Sequence, residues 1–99
     1  MAAYLYGNID IHDLVLYEQY RALVPAIIAA HGGRYLVRGG ASQVLEGDGK
    51  VTRQVILEFP DMASLKGFYG SPEYADAKAI RQRAATGTLV AIEGLRPER

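Results

Sequence analysis

Apolar and polar positions alternate along this chain, change period, and alternate again. From Ala3 to Ile11, Leu5, Gly7, Ile9 and Ile11 face one way and Tyr4, Tyr6, Asn8 and Asp10 the other. That two-residue period is a strand with one aliphatic and one polar-aromatic face. His12 and Asp13 open a helix, Asp13 being the better N-cap, and Leu16, Tyr20, Leu23 and Ile27 recur at helical spacing. Pro25 deletes a backbone donor, so a kink or break is expected near Ala22 to Val24, with Pro25 starting a second segment that ends at Gly32 and Gly33. Arg34 to Arg38 reads as a second strand, resuming after a bulge at Gly39 and Gly40 as far as Leu45.

Glu46 to Lys50 is a polar, glycine-rich turn into a third strand, Val51 to Phe59, which Pro60 ends. Asp61 caps a short helix from Met62 to about Tyr69. Ser71, Pro72 and Glu73 then start a longer one to about Ala85, with a hydroxyl at the N-cap, proline at the first helical position and an acid in the positive first turn. Gly87 is read as its stop. Thr88 to Leu95 is the fourth strand, apolar enough through Leu89 to Ile92 to be central and buried, and Arg96 to Arg99 a frayed tail.

The order β-α-β-β-α-β makes this an α+β chain with a ferredoxin-like fold: a four-stranded antiparallel sheet with helices on one face, as a single domain over residues 1–99. Such a sheet leaves a face bare. With Tyr4, Tyr6, Leu36 and Ile56 on that face, packing against a second copy, a homodimer, is expected.

Composition narrows the functions. Eleven basic and eleven acidic residues cancel, so no global field draws the chain to nucleic acid or anionic lipid. No cysteine is present, which excludes thiolate chemistry and fits a cytoplasmic setting. No apolar run approaches the roughly 18 residues of a membrane span.

The segments Tyr17 to Gly40, Leu45 to Gly47, Val55 to Asp61 (VILEFPD), Phe68 to Tyr74 (FYGSPEY) and Val90 to Gly94, in that order, resemble the bacterial family known as domain of unknown function 1330. The resemblance spans nearly the whole chain. It implies the dimeric α+β barrel superfamily, in which two ferredoxin-like sheets pack face to face. That superfamily includes cofactor-free monooxygenases, lactone isomerases, haem-handling enzymes and ligand-sensing domains, so the fold alone names no activity.

Candidate chemistry falls into three groups. Strand parity and the intervening turn bring Arg38 opposite or diagonal to Glu58, as a bidentate pair at the dimer seam or as an oxyanion-stabilising arginine beside a general base. His12, at the end of the first strand, is a second candidate base. Tyr17, Tyr20, Phe68, Tyr69 and Tyr74 either fill the core beneath the helices or bracket a ligand cavity, and Arg81 shares a helical stripe with Lys78 and Tyr74 that suits an anionic group. Two histidines without cysteine give no metal site, and GGRYLVRGG matches no phosphate-binding loop, so no cofactor is expected. The sequence therefore reads as a homodimer that binds a small organic molecule between sheet and helices. One alternative is a cofactor-free monooxygenase or isomerase of small organic substrates, aromatic ones included, with Glu58 or His12 as base. The other is a structural or interaction dimer without ligand.

Overall fold

The computed structural model describes residues 1–96, so positions 97–99 of the expected frayed tail lie outside it. Its elements are β1 (Ala3–Ile11), α1 (Leu14–Ala30), β2 (Arg34–Arg38), β3 (Arg53–Phe59), α2 (Met62–Tyr69), α3 (Pro72–Ala84) and β4 (Ala85–Glu93). The strands form one antiparallel sheet ordered β2-β3-β1-β4, the ferredoxin-like arrangement. All three helices cover one face. The molecule is 17 Å across its thinnest direction, the depth of one sheet and one helical layer.

Each expected cap forms. The carboxylates of Asp13 and Asp61 and the hydroxyl of Ser71 accept from the amides of Leu16, Ser64 and Tyr74, satisfying donors that the first helical turns leave free. The amide of Ser64 also holds the Asp61 carboxyl below the usual aspartate range. Leu5, Leu57 and Phe59 of the sheet meet Val24 and Ile28 of α1, Leu65 and Phe68 of α2, and Tyr74 and Ala77 of α3. Phe68 centres this core, with ring centroids 5.3 Å from Phe59 and 4.4 Å from Tyr74. Truncating so fully buried a ring costs about 3–5 kcal/mol.

Four expectations need correction. First, α1 is one continuous helix through Pro25 and no second segment starts there, because packing of Val24 and Ile28 on the core keeps it helical across the missing hydrogen bond. The carbonyl that Pro25 leaves without its helical donor is that of Arg21, and the Arg38 guanidinium donates to it at 3.4 Å.

Second, β2 does not resume after Gly39. The register shifts between Tyr35 and Val37, so the bulge lies at Leu36, and Gly39, at φ +69°, turns the chain out of the sheet. Residues 39–52 form an extended connection in place of a tight hairpin, and β3 begins at Arg53. The end of that connection is pinned to the sheet by Asn8, whose Oδ1 accepts from the amide and hydroxyl of Thr52 while its Nδ2 donates to the carbonyl of Lys50.

Third, Gly87 does not stop α3. The helix ends at Ala84, Ala85 is already extended, and Gly87 lies inside β4 opposite Ile9. A Cβ there would collide with the carbonyl of Asn8, so glycine permits close strand approach. Fourth, β4 is an edge strand, and its apolar residues Val90 and Ile92 are 41% and 49% exposed.

The uncovered face of the sheet has its own order. Val37, Ile56, Tyr6 and Val90 lie in one row across the four strands, and Arg34, Glu58, Tyr4 and Ile92 in the next. The first row is nearly all apolar; the second carries a hydrogen-bonded network.

Candidate functional site

The sheet face that meets the helices is not filled completely. Between them lies a cavity of about 40 Å³, with Leu5, Gly7, Ile9, Val55 and Leu57 on the strand side and Tyr17, Tyr20, Val24, Phe68 and Tyr74 on the helical side. Gly7 helps to create it. Position 7 falls in the inward series Leu5, Gly7, Ile9, where any side chain would point at the helices, and a Cβ would come 3.0 Å from Leu89 Cδ2. The volume holds about three waters or a group of a few heavy atoms, and is well short of the roughly 150 Å³ that admits benzene.

Polar groups are few and specific. The hydroxyls of Tyr20 and Tyr74 lie 2.9 Å apart, with the rings edge to face, and Arg81 Nε donates to the Tyr74 hydroxyl at 3.4 Å. Burial, reinforced by Tyr74, pushes the Tyr20 hydroxyl far above the usual tyrosine range, so it stays neutral. Burial also raises Tyr35, another wall residue. Arg21, Arg38, Arg53 and Arg81 complete the polar lining, and among the described residues that line the cavity there is no carboxylate and no imidazole.

A shallower open groove of about 390 Å³ runs past Tyr69, Gln82, Thr86 and Gly87. Arg81 and Leu89 belong to the walls of both spaces, so the groove and the cavity lie on either side of these two residues.

The structure gathers Tyr17, Tyr20, Phe68, Tyr74, Arg38 and Arg81 around the cavity. Tyr69 stands on the groove side, its ring under Lys78 Nζ at 4.5 Å. Glu58 is elsewhere. On the uncovered sheet face it accepts from Arg34 Nε at 2.7 Å and from the Tyr4 hydroxyl at 3.1 Å, and these bonds hold its carboxyl below the usual glutamate range. The expected Arg38–Glu58 pair is therefore not formed. Without the bulge, Arg34 and Arg38 would share a face; the extra residue at Leu36 leaves Arg34 opposite Glu58 and sets Arg38 opposite Val55, on the cavity side. His12 is exposed at the end of β1, its amide bonded to the carbonyl of Ala84, and is not part of the cavity wall.

Arg21, Tyr35, Arg53 and Gly7 were not singled out from the sequence. Arg53 carried a usable signal: it has the parity of Val55, Leu57 and Phe59, so a strand beginning there aims a guanidinium inward. Arg21 lies one helical turn from Tyr17, on the same stripe.

His31, at the end of α1, has Nε2 3.3 Å from a carboxylate oxygen of Glu73, which lowers the glutamate below its usual range. This links two helix ends away from the cavity. Among the described residues, no cluster of three or more His, Asp or Glu is placed to hold a metal ion, and no helix is long and apolar enough to cross a membrane.

Residues 2–95 match the family described as Domain of unknown function (DUF1330). No curated protein matches the chain. Among solved structures, a protein of unknown function from Rhodopseudomonas palustris is similar with a TM-score of 0.77 at 20% identity, covering 97% of this chain and 84% of that one. SnoaB of Streptomyces nogalater, a cofactor-independent oxygenase, is similar with a TM-score of 0.69 at 12% identity, covering 97% and 95%. A dimeric ferredoxin-like protein of unknown function from Jannaschia sp. CCS1 gives 0.68 at 13%, covering 97% and 100%. At these identities the likeness is one of fold.

Proposed function

The chain belongs to the DUF1330 family, a membership that brings a fold and no activity, and on that premise we propose that it binds a small organic molecule in the cavity between sheet and helices. The observation that carries this is an aromatic-walled space with a glycine on its floor, where the inward parity of β1 otherwise supplies aliphatic side chains. The size of the space favours a ligand whose compact end enters the cavity and whose remainder, if any, lies toward the groove past Arg81. Binding is favoured over acid-base catalysis because the cavity lacks the base that the expected chemistry assigned to Glu58 or His12. An oxygenase reading draws on the fold shared with SnoaB and would have to work with Tyr20, Tyr74 and Arg81 instead.

The same proposal includes a homodimer formed through the uncovered sheet face, supported by its apolar row and by the dimeric relative from Jannaschia. A cytoplasmic setting, expected of a chain without cysteine, goes with it.

The test is thermal unfolding against a panel of small neutral and charged organic compounds, with Gly7→Val as the control that fills the floor. Compounds that raise the melting temperature of the natural protein and not of folded Gly7→Val support cavity binding. Equal shifts in both, or none in either, would reject it.

A further inference from the structure

One cavity-wall arginine is buried without a carboxylate partner among the described residues. Arg81 is 7% exposed, its hydrogen bond among the described residues is the long contact to the Tyr74 hydroxyl, and its Nη2 is buried without a partner. The Nε atoms of Arg21 and Arg53 are likewise buried and unpartnered. Arg53 lies over the Tyr17 ring at 5.7 Å, and Arg38 over the Tyr35 ring at 4.5 Å. Among the described residues, Glu18 is the carboxylate that pairs with any of these four, and it meets Arg21 at Nη1 on the solvent side. A guanidinium cannot shed its proton to escape burial, and ring faces and a phenol supply only part of the counter-charge.

Resting on the cavity reading, we infer that the natural occupant is an organic anion whose carboxylate enters the cavity and is held by Arg81, with Arg53 and Arg21 around it. The chemistry of the donors fits. Arg81 lines the cavity with Nε engaged by Tyr74 and a buried terminal nitrogen unpartnered, so it lacks the counter-charge that a carboxylate, the usual partner of a planar guanidinium, would supply. The volume fits as well, since about 40 Å³ accepts a carboxylate head and excludes a ring. Any larger body of the acid extends into the groove that shares Arg81.

Isothermal titration of the full chain with propionate, propionamide, phenylacetate and phenylacetamide tests this. Both acids should bind at least tenfold more tightly than their amides, and Arg81→Met should abolish that preference. Arg53→Met serves as the second variant if Arg81→Met does not fold. Equal affinity of the two acids assigns a short free carboxylate, and a tenfold advantage for phenylacetate assigns a larger acid whose body uses the groove. Acids and amides binding alike would overturn the inference and leave the cavity reading intact. Binding by neutral compounds of the panel but by neither acid would do the same, whereas failure of every compound would overturn both.

Discussion

Arg38 donates to the carbonyl of Arg21, the group that Pro25 leaves without its helical partner. A proline that interrupts the hydrogen-bond ladder of α1 thereby ties the edge strand β2 to that helix at the cavity wall. In Pro25→Ala the restored amide competes for the same carbonyl. A double-mutant cycle between Pro25→Ala and Arg38→Ala should give a coupling of about 0.5–1 kcal/mol, below the usual range for a charge-assisted bond because this one is long and exposed. Strict additivity in denaturant unfolding would count against the link.

Glu58 titrates below its usual range because Arg34 and Tyr4 bond its ionised form. A depressed carboxylate contributes stability above the unfolded value, about 4.3, and loses it as the pH falls through the folded value. The melting-temperature difference between the natural protein and Glu58→Gln should therefore be largest near neutrality and shrink below about pH 4. A difference that is constant with pH would mean that the network makes no ionic contribution.

Tyr74 sits at the centre of the polar chain from Tyr20 to Arg81. Tyr74→Phe keeps the ring in the Phe68 cluster and removes only the hydroxyl, so it should cost about 1–2 kcal/mol and retain the fold. Because burial pushes Tyr20 far above the usual tyrosine range, ultraviolet titration should show it ionising only with alkaline unfolding. Reversible ionisation of every tyrosine near pH 10 in the folded protein would contradict this burial.

Val90 and Ile92 bring apolar side chains to the uncovered face beside Tyr6 and Tyr4. If a second copy covers that face, a glutamate at position 90 forces a charge into the seam. Light scattering at micromolar concentration should report a dimer for the natural protein and a monomer for Val90→Glu. A variant that stays dimeric would place the interface elsewhere.

How much was legible follows from which signals are local. The caps at Asp13, Asp61 and Ser71 and the alternation of β1 are set by neighbours in sequence, and they appear where the residues put them. Side-chain parity along β2 is different, since one inserted residue at Leu36 reverses every position after it. That single bulge separates Arg38 from Glu58 and carries Arg38 to the cavity, an event that no alternation pattern announces. The apolar run of β4 gives its hydrophobicity but not its place in the sheet, so a strand exposed at the edge reads as central. Arg81 was visible through its seven-residue spacing from Tyr74; its burial was not, because that depends on β4 folding back beside α3.

The central claim is that the arginine-lined cavity receives a carboxylate, and the most direct measurement is a crystal structure of the protein grown in propionate. The expected result is planar density in the cavity with an oxygen about 3 Å from a guanidinium nitrogen of Arg81. Water alone in the cavity, or Arg81 turned away from it to meet a carboxylate of the protein itself, would contradict the claim.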